Sequence, residues 1–265
     1  MLVTMFAQFI SIFVPQKIAE FLAVIFADAF RPFDWRSKAV MKNMNIIFPE
    51  KPLYERKRLT RDTFRKMFLS YVKLMKINRE KWEKMMSFED LEIIKNRKSL
   101  VFSIHLGPWD IGCKYVNAYG FNIYALMEDL PKFYMRLWQR FREGIKIITV
   151  GKGTLKAIRQ LKKEEKYAIV LLIDRVTSGK YYKSKFMGQD VIFAEGIFKL
   201  PNLIEGDSLF LQCHWDEKME KVRFDFAQLP RENLEGEILR LFEESIKKYP
   251  TEWYNFYFFT TQKPI

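Results

Sequence analysis

Ser103-Ile104-His105-Leu106-Gly107-Pro108-Trp109-Asp110 continues an apolar run, Leu100 to Ile104, that has the length and composition of a short buried strand. Gly107 and Pro108 predict a turn after it, and Asp110 stands where a helix would open. On that geometry His105 closes the strand, and the two side chains converge at its carboxyl end, where open α/β sheets keep their ligands. Imidazole titrates near neutrality, and as a base it needs a partner that fixes its tautomer and steadies the imidazolium. A histidine followed five positions later by an aspartate is therefore a candidate base and orienting acid. Taken alone, it could equally be a hydrogen-bonded histidine of the core.

Working outward, the chain beyond this stretch alternates strands and helices. Strands are expected over Leu100 to Ile104, Asn122 to Met127, Ile145 to Val150 and Tyr167 to Ile173. Helices are expected over Trp109 to Tyr119, Pro131 to Glu143 and Thr154 to Lys163. The alternation predicts an α/β fold, a largely parallel central sheet flanked by helices. Ser208 to Trp215 and Lys221 to Phe226, linked through Asp216-Glu217-Lys218, predict a hairpin at one edge, and Asn233 to Lys248 a closing helix. Upstream the pattern is helical: Val40, Met44 and Ile47 share one face, Pro49 and Pro52 interrupt, and Leu53 to Met75 forms a long amphipathic helix. Its stripe of Leu59, Phe64, Met67, Phe68, Tyr71, Leu74 and Met75 is packing.

A chain of 265 residues that is 49% hydrophobic and 16% aromatic can bury a large core. Residues 1–30 form an N-terminal apolar segment and residues 31–265 one α/β domain. The first segment is broken by Pro15 and by Lys17, Glu20 and Asp28, and no basic region of the signal-peptide kind precedes it. Its second half, Ile18 to Phe30, suits a helix lying in a membrane interface or one buried in the protein. Arg31, Arg36, Lys38 and Lys42 follow it directly, and the net charge is +13. An anionic partner is implied: a membrane surface, an acidic carrier or nucleic acid. Cys113 and Cys213 stand far apart without metal or redox spacing, and two histidines make no metal site. Gly151-Lys152-Gly153 is too short for a phosphate-binding loop of the nucleotide-binding kind.

Several further stretches occur in a telling order. They are Asn45-Ile46-Ile47-Phe48-Pro49-Glu50, then His105 to Asp110, Leu137-Trp138-Gln139-Arg140-Phe141-Arg142, Ile173-Asp174-Arg175, Phe186-Met187-Gly188 with Gly196 downstream, and Pro250-Thr251-Glu252-Trp253-Tyr254. In that order they make the chain similar to the lipid A biosynthesis acyltransferases, the lauroyl and myristoyl transferases of the wider glycerolipid and lysophospholipid acyltransferase group. The resemblance implies an O-acyltransferase in which His105, oriented by Asp110, deprotonates a hydroxyl of a glycolipid or phospholipid. The oxygen then attacks the thioester of an acyl-carrier-protein or coenzyme A donor, with no cofactor, metal or nucleic acid involved. An activated thioester needs no covalent enzyme intermediate, so no nucleophilic Ser or Cys is called for.

The same resemblance implies basic substrate contacts from Arg140 and Arg142, of which Arg142 is taken to face the site, with Asp174 and Arg175 on the same rim. Tyr181, Lys183 and Lys185 are further candidate phosphate contacts. Trp109, Phe186 and Phe193 are expected to wall an acyl pocket. The expected location is the cytoplasmic face of a bacterial inner membrane, peripheral or monotopic. Three departures bear on the lipid acted on: Pro108 stands where Asn is common, Ile197-Phe198-Lys199 is bulky after Gly196, and Tyr257-Phe258-Phe259-Thr260-Thr261 replaces a basic run. The rival reading is a non-enzymatic basic protein that binds nucleic acid or membranes.

Overall fold

The computed structural model describes residues 14–127, 145–151, 153–176 and 180–258. Among the described residues, five α-helices come first: α1 (Gln16–Phe30), α2 (Arg36–Ile47), α3 (Leu53–Lys76), α4 (Arg79–Met85) and α5 (Phe88–Lys95). The sheet region follows as β1 (Lys98–Ser103), α6 (Trp109–Cys113), β2 (Ile123–Met127), β3 (Lys146–Thr149), α7 (Thr154–Leu161) and β4 (Tyr167–Leu172). After it come β5 (Tyr181–Phe186), β6 (Gln189–Ala194), β7 (Asp207–Asp216), β8 (Lys221–Gln228) and α8 (Leu234–Lys248).

The main sheet has the order β3-β2-β4-β1-β7-β8, parallel throughout except for β8, which returns antiparallel to β7. This is the largely parallel α/β sheet that the alternation predicts. The central strand β1 is buried along nearly its whole length because both faces are covered, as parallel sheets require. Leu100 and Phe102 enter the core shared with α3 and α8, while Val101 between them enters the core shared with α4 and α5. β5 and β6 form a separate two-stranded ribbon. Its turn, Met187-Gly188, has both residues at positive φ, 49° and 73°. That conformation suits a tight hairpin but usually shows itself as Asn-Gly or Asp-Gly, so the sequence gives no hairpin signal here.

One element boundary differs from expectation. The helix expected over Trp109 to Tyr119 stops at Cys113, and a short 3-10 turn, Val116–Tyr119, follows. Lys114 lies between the two pieces, buried, with Nζ donating to Leu74 O at 3.2 Å and Ile77 O at 3.0 Å. These carbonyls belong to the end of α3, which an ammonium group satisfies well, and the tie turns the chain out of the helix. The helix expected over Pro131 to Glu143 lies outside the described residues.

α3 presents its predicted stripe inward, with Phe64, Met67, Phe68 and Leu74 buried and Leu59, Tyr71 and Met75 packed at the margin. α1 lies against it through Ala19, Ala23 and Ala27, which are 0%, 1% and 0% exposed. Small residues at every fourth position let the two helices approach closely, and an Arg65 to Asp28 ion pair joins them at one end. The opposite face of α1 carries Ile18, Phe21 and Ile25, all exposed. No helix among the described residues is long and apolar enough to cross a membrane. Enlarging the buried stripe by Ala23→Leu is expected to cost about 1–3 kcal/mol by overpacking, whereas Ile25→Ala changes stability by less than about 0.5 kcal/mol. Denaturant unfolding followed by circular dichroism measures both, and equal effects would show that α1 is not docked through its alanines.

Candidate active site

β1 and β4 pair in register from Lys98↔Tyr167 to Ser103↔Leu172. Continued past the strand ends, that register sets His105 beside Asp174. The Asp174 carboxylate accepts from the His105 backbone N–H at 3.2 and 3.1 Å, and His105 Nδ1 lies 2.7 Å from Asp174 Oδ1. Trp253 Nε1 donates to the other oxygen, Oδ2, at 2.8 Å. Asp174 itself is 0% exposed. Burial pushes its carboxyl up, but the imidazole, the Arg175 guanidinium and the Trp253 indole together outweigh that and hold it below the usual carboxylate range. An ionised Asp174 accepts at Nδ1, so the neutral ring carries its proton there. Nε2 then keeps a lone pair and has no hydrogen-bond partner among the described residues.

Two backbone hydrogen bonds hold the His105 loop to the segment after α8. Tyr254 N donates to His105 O at 2.7 Å and Gly107 N donates to Glu252 O at 2.8 Å, and together they pair Leu106 with Trp253 as an antiparallel bridge. Gly107 has φ +67°, and a Cβ there would meet Cys213 O at 2.2 Å, so only glycine fits. The segment is itself fixed by its side chains. Glu252 accepts from Trp215 N at 2.9 Å and from Lys66 Nζ at 3.0 Å, and Asn255 Nδ2 donates to Asp174 O at 3.1 Å. Arg175 donates through Nη2 to Tyr254 O, while its buried Nε has no partner.

His105 stands at the mouth of a cavity of about 970 Å³ with Trp109, Asp110 and Arg175, near Phe33 and Trp35. The inner part runs between the sheet and the helices on one face, past Val101, Val170, Ile123, Leu91, Ile94 and Phe224. These side chains are apolar, and a cavity of this size and lining suits a long hydrocarbon tail. Burial, and after it the Arg175 charge, lower the His105 pKa below its usual range, although Asp174 and Asp110 act the other way. The neutral form of the imidazole is thereby favoured.

The expected site residues fall into distinct places. Asp110, expected at the ring, lies on the cavity wall in the first turn of α6, and its charge acts on His105 without a hydrogen bond to it. The partner at Nδ1 is Asp174, because a parallel neighbour in register is closer to a strand-end residue than the helix beyond a turn. Asp174, expected as a substrate contact, is fully buried behind the imidazole. Arg175 lines the cavity, as expected of a rim residue. Arg140 and Arg142 lie outside the described residues.

Trp109 lines the cavity with its ring centroid 6.1 Å from that of His105. Phe186 and Phe193 do not line it. Phe186 packs on Phe242 of α8, and Phe193 packs on Tyr182 and Phe198. Strand alternation explains the difference for β6, since Phe193 points into the core and the next residue, Ala194, reaches the cavity. Tyr181, Lys183 and Lys185 lie on the exposed face of the β5 ribbon.

Ser103 Oγ is occupied by Leu211 O at 2.9 Å, and burial pushes the Cys213 thiol far up, so neither is a ready nucleophile. No group of three or more His, Cys, Asp and Glu at metal-binding distance occurs among the described residues. Sequence reasoning gave no role to Glu252, Trp253 or Asn255. The only signal was the Pro250 to Tyr254 stretch as part of a resemblance, because side chains so distant in sequence meet through tertiary contact alone.

No curated protein matches the chain. The sequence model of the family described as bacterial lipid A biosynthesis acyltransferase matches residues 1–257, nearly the full length. That family consists of acyltransferases, which sets aside the non-enzymatic reading. With a family match over almost every residue, the chain belongs to the bacterial lipid A biosynthesis acyltransferases.

Proposed function

We propose that the enzyme transfers a fatty acyl chain from a thioester donor to a hydroxyl of a lipid A-type glycolipid, with His105 as general base and Asp174 as its positioning residue. The observation that carries this reading is the 2.7 Å contact of His105 Nδ1 with a buried carboxylate at the mouth of the cavity. Nε2 takes the hydroxyl proton as the acceptor oxygen adds to the thioester carbonyl. That addition forms the C–O bond; collapse of the tetrahedral intermediate restores the carbonyl and breaks the C–S bond, and the departing thiolate takes the proton from the imidazolium. Asp174 stabilises that imidazolium, and Arg175 keeps the resting ring unprotonated.

Asp110 and Trp109 wall the cavity near His105, and the acyl chain occupies the apolar interior. The donor is acyl carrier protein or coenzyme A, both anionic and both suited to a protein of charge +13. The exposed stripe of Ile18, Phe21 and Ile25, with Phe33 89% exposed near the cavity mouth, supports a helix lying in the membrane interface. The proposed location is the cytoplasmic face of a bacterial inner membrane.

His105→Ala is expected to abolish thioester-dependent acylation of a lipid acceptor, and unchanged turnover would remove the catalytic assignment. Asp174→Asn should lower kcat roughly a thousand-fold or more, as expected when an imidazole loses the carboxylate that fixes its tautomer. The pH profile separates positioning from simple structural damage. Activity needs the free base, so it falls as pH drops through the imidazole pKa. Asp174 raises that pKa and Arg175 lowers it. The acid limb should therefore move to lower pH in Asp174→Asn and to higher pH in Arg175→Met. Shifts in one common direction would contradict the assignment.

Gly112 lines the cavity, and a Cβ there would come within 2.7 Å of the Phe224 ring. Gly112→Ala should push that ring into the cavity and shift preference toward shorter acyl chains, by roughly ten-fold in kcat/KM per methylene excluded. A series of donors of increasing chain length tests this, and an unaltered preference would place the chain elsewhere.

A further inference from the structure

On the other side of α2 from the catalytic cavity, α2 and α3 enclose a second concavity of about 790 Å³. Lys38 and Lys42 line it from α2, Lys57, Arg58 and Arg61 from α3, and Arg31 closes one end. The spacing accounts for the arrangement. Positions 38, 42 and 45 lie on one face of α2, positions 54, 57, 58 and 61 lie on one face of α3, and the short turn between the helices brings the two faces together. Six cations thus face a single groove, and no carboxylate lines it among the described residues.

Few of these charges are neutralised. Arg31, Lys38, Lys57 and Arg58 make no ion pair among the described residues, and Arg31 Nε is buried without a hydrogen-bond partner. Arg61 is the one that pairs, through Nε with Asp62 at 3.2 Å. Like charges held together repel one another, so the arrangement is at its most stable when an anion occupies it.

The rim indicates where that anion comes from. Tyr54, 68% exposed, lines the groove, with Leu53, 51% exposed, next to it in the chain, and Phe33, 89% exposed, lies two residues from Arg31. α1, which carries the exposed Ile18, Phe21 and Ile25, ends at Phe30, immediately before Arg31. A cationic concavity with exposed apolar side chains near it matches a phosphate group whose acyl chains lie alongside the protein.

We propose that the groove between α2 and α3 is a second, non-catalytic site that binds the phosphate of an anionic membrane lipid. It rests on the reading of α1 as an interfacial helix and adds to it a specific requirement for lipid charge. Bound there, a lipid headgroup fixes α2, whose first turn also supplies Trp35 and Arg36 to the wall of the catalytic cavity. The site thus sets the height and tilt of the cavity mouth over the bilayer.

The test is co-sedimentation of the full chain with vesicles of phosphatidylcholine alone and of phosphatidylcholine mixed with phosphatidylglycerol. The groove variant is Lys38→Gln, Lys57→Gln and Arg58→Gln. A control removes equal charge from and beside α7, by Lys156→Gln, Arg159→Gln and Lys163→Gln. Wild-type protein is expected to favour the mixed vesicles. The groove variant should lose partition onto them on the order of 100-fold, about five-fold per charge. The control should lose far less, and a charge-retaining variant, Lys38→Arg, Lys57→Arg and Arg58→Lys, should bind like wild type.

Equal losses in groove and control variants would reduce the effect to net charge and overturn the site. A charge-retaining variant that fails like the Gln variant would do the same by assigning the loss to folding. Equal wild-type binding to both vesicles removes the groove's role but leaves α1 as an interfacial helix, whereas binding to neither removes both. A groove variant that keeps vesicle binding but no longer binds an acidic acyl carrier protein would make this a protein dock and overturn the lipid assignment.

Discussion

A carboxylate without access to solvent sits just past the end of β4, and the architecture around the cavity mouth follows from supplying it with donors. Burying an unpaired ionised carboxyl would cost several kcal/mol, so Asp174 is stable only where the His105 backbone, the His105 ring and the Trp253 indole all reach it. Those donors come from two places far apart in sequence. One is the loop that leaves the neighbouring strand β1, and the other is the segment after the last helix. Satisfying one buried group therefore ties the start of the sheet region to the end of the chain. It also leaves the imidazole with one nitrogen engaged and the other directed at the cavity.

The same tie explains why the loop between His105 and Asp110 is so constrained. Gly107 packs directly against the β7 backbone, and its N–H is taken by Glu252 O. Glu252, itself buried, is held by Trp215 of β7 and Lys66 of α3. The histidine is thus oriented by a rigid frame that draws on the sheet, the long helix and the terminal segment, and flexible surface groups take no part. Pre-organisation of this kind keeps a base in place without reorganisation during reaction. On the opposite face of β1 from the α8 core, the apolar cavity extends inward from the base. On the proposed reading, the reacting atoms and the hydrocarbon tail share one continuous space.

Much of this was legible in the sequence, for identifiable reasons. Periodicity gave the parallel sheet, the edge hairpin and the inward face of α3, because burial on one or both faces imposes those patterns on the residues. Strand ends gave the rim, so His105, Asp174 and Arg175 were expected together. The partner of the base was not legible. A spacing of five residues suggests Asp110, but strand register decides the contact, and register is a property of two segments nearly 70 residues apart. That Phe186 and Phe193 lie away from the cavity was illegible for a similar reason, since both are apolar wherever they point and only the pleat shows that they enter the α8 core. The hairpin of β5 and β6 escaped because Met187 adopts a left-handed conformation that methionine seldom signals.

The central claim, that Asp174 and not Asp110 fixes the tautomer of the base, is open to direct observation. Proton–nitrogen NMR of the imidazole rings, with His214→Gln used to assign the two histidines, reports which nitrogen of His105 carries the proton. The structure predicts a neutral ring protonated at Nδ1, with a hydrogen-bonded ring proton that persists in Asp110→Asn and disappears or moves strongly in Asp174→Asn. A ring protonated at Nε2, or a signal lost in Asp110→Asn and retained in Asp174→Asn, would contradict it.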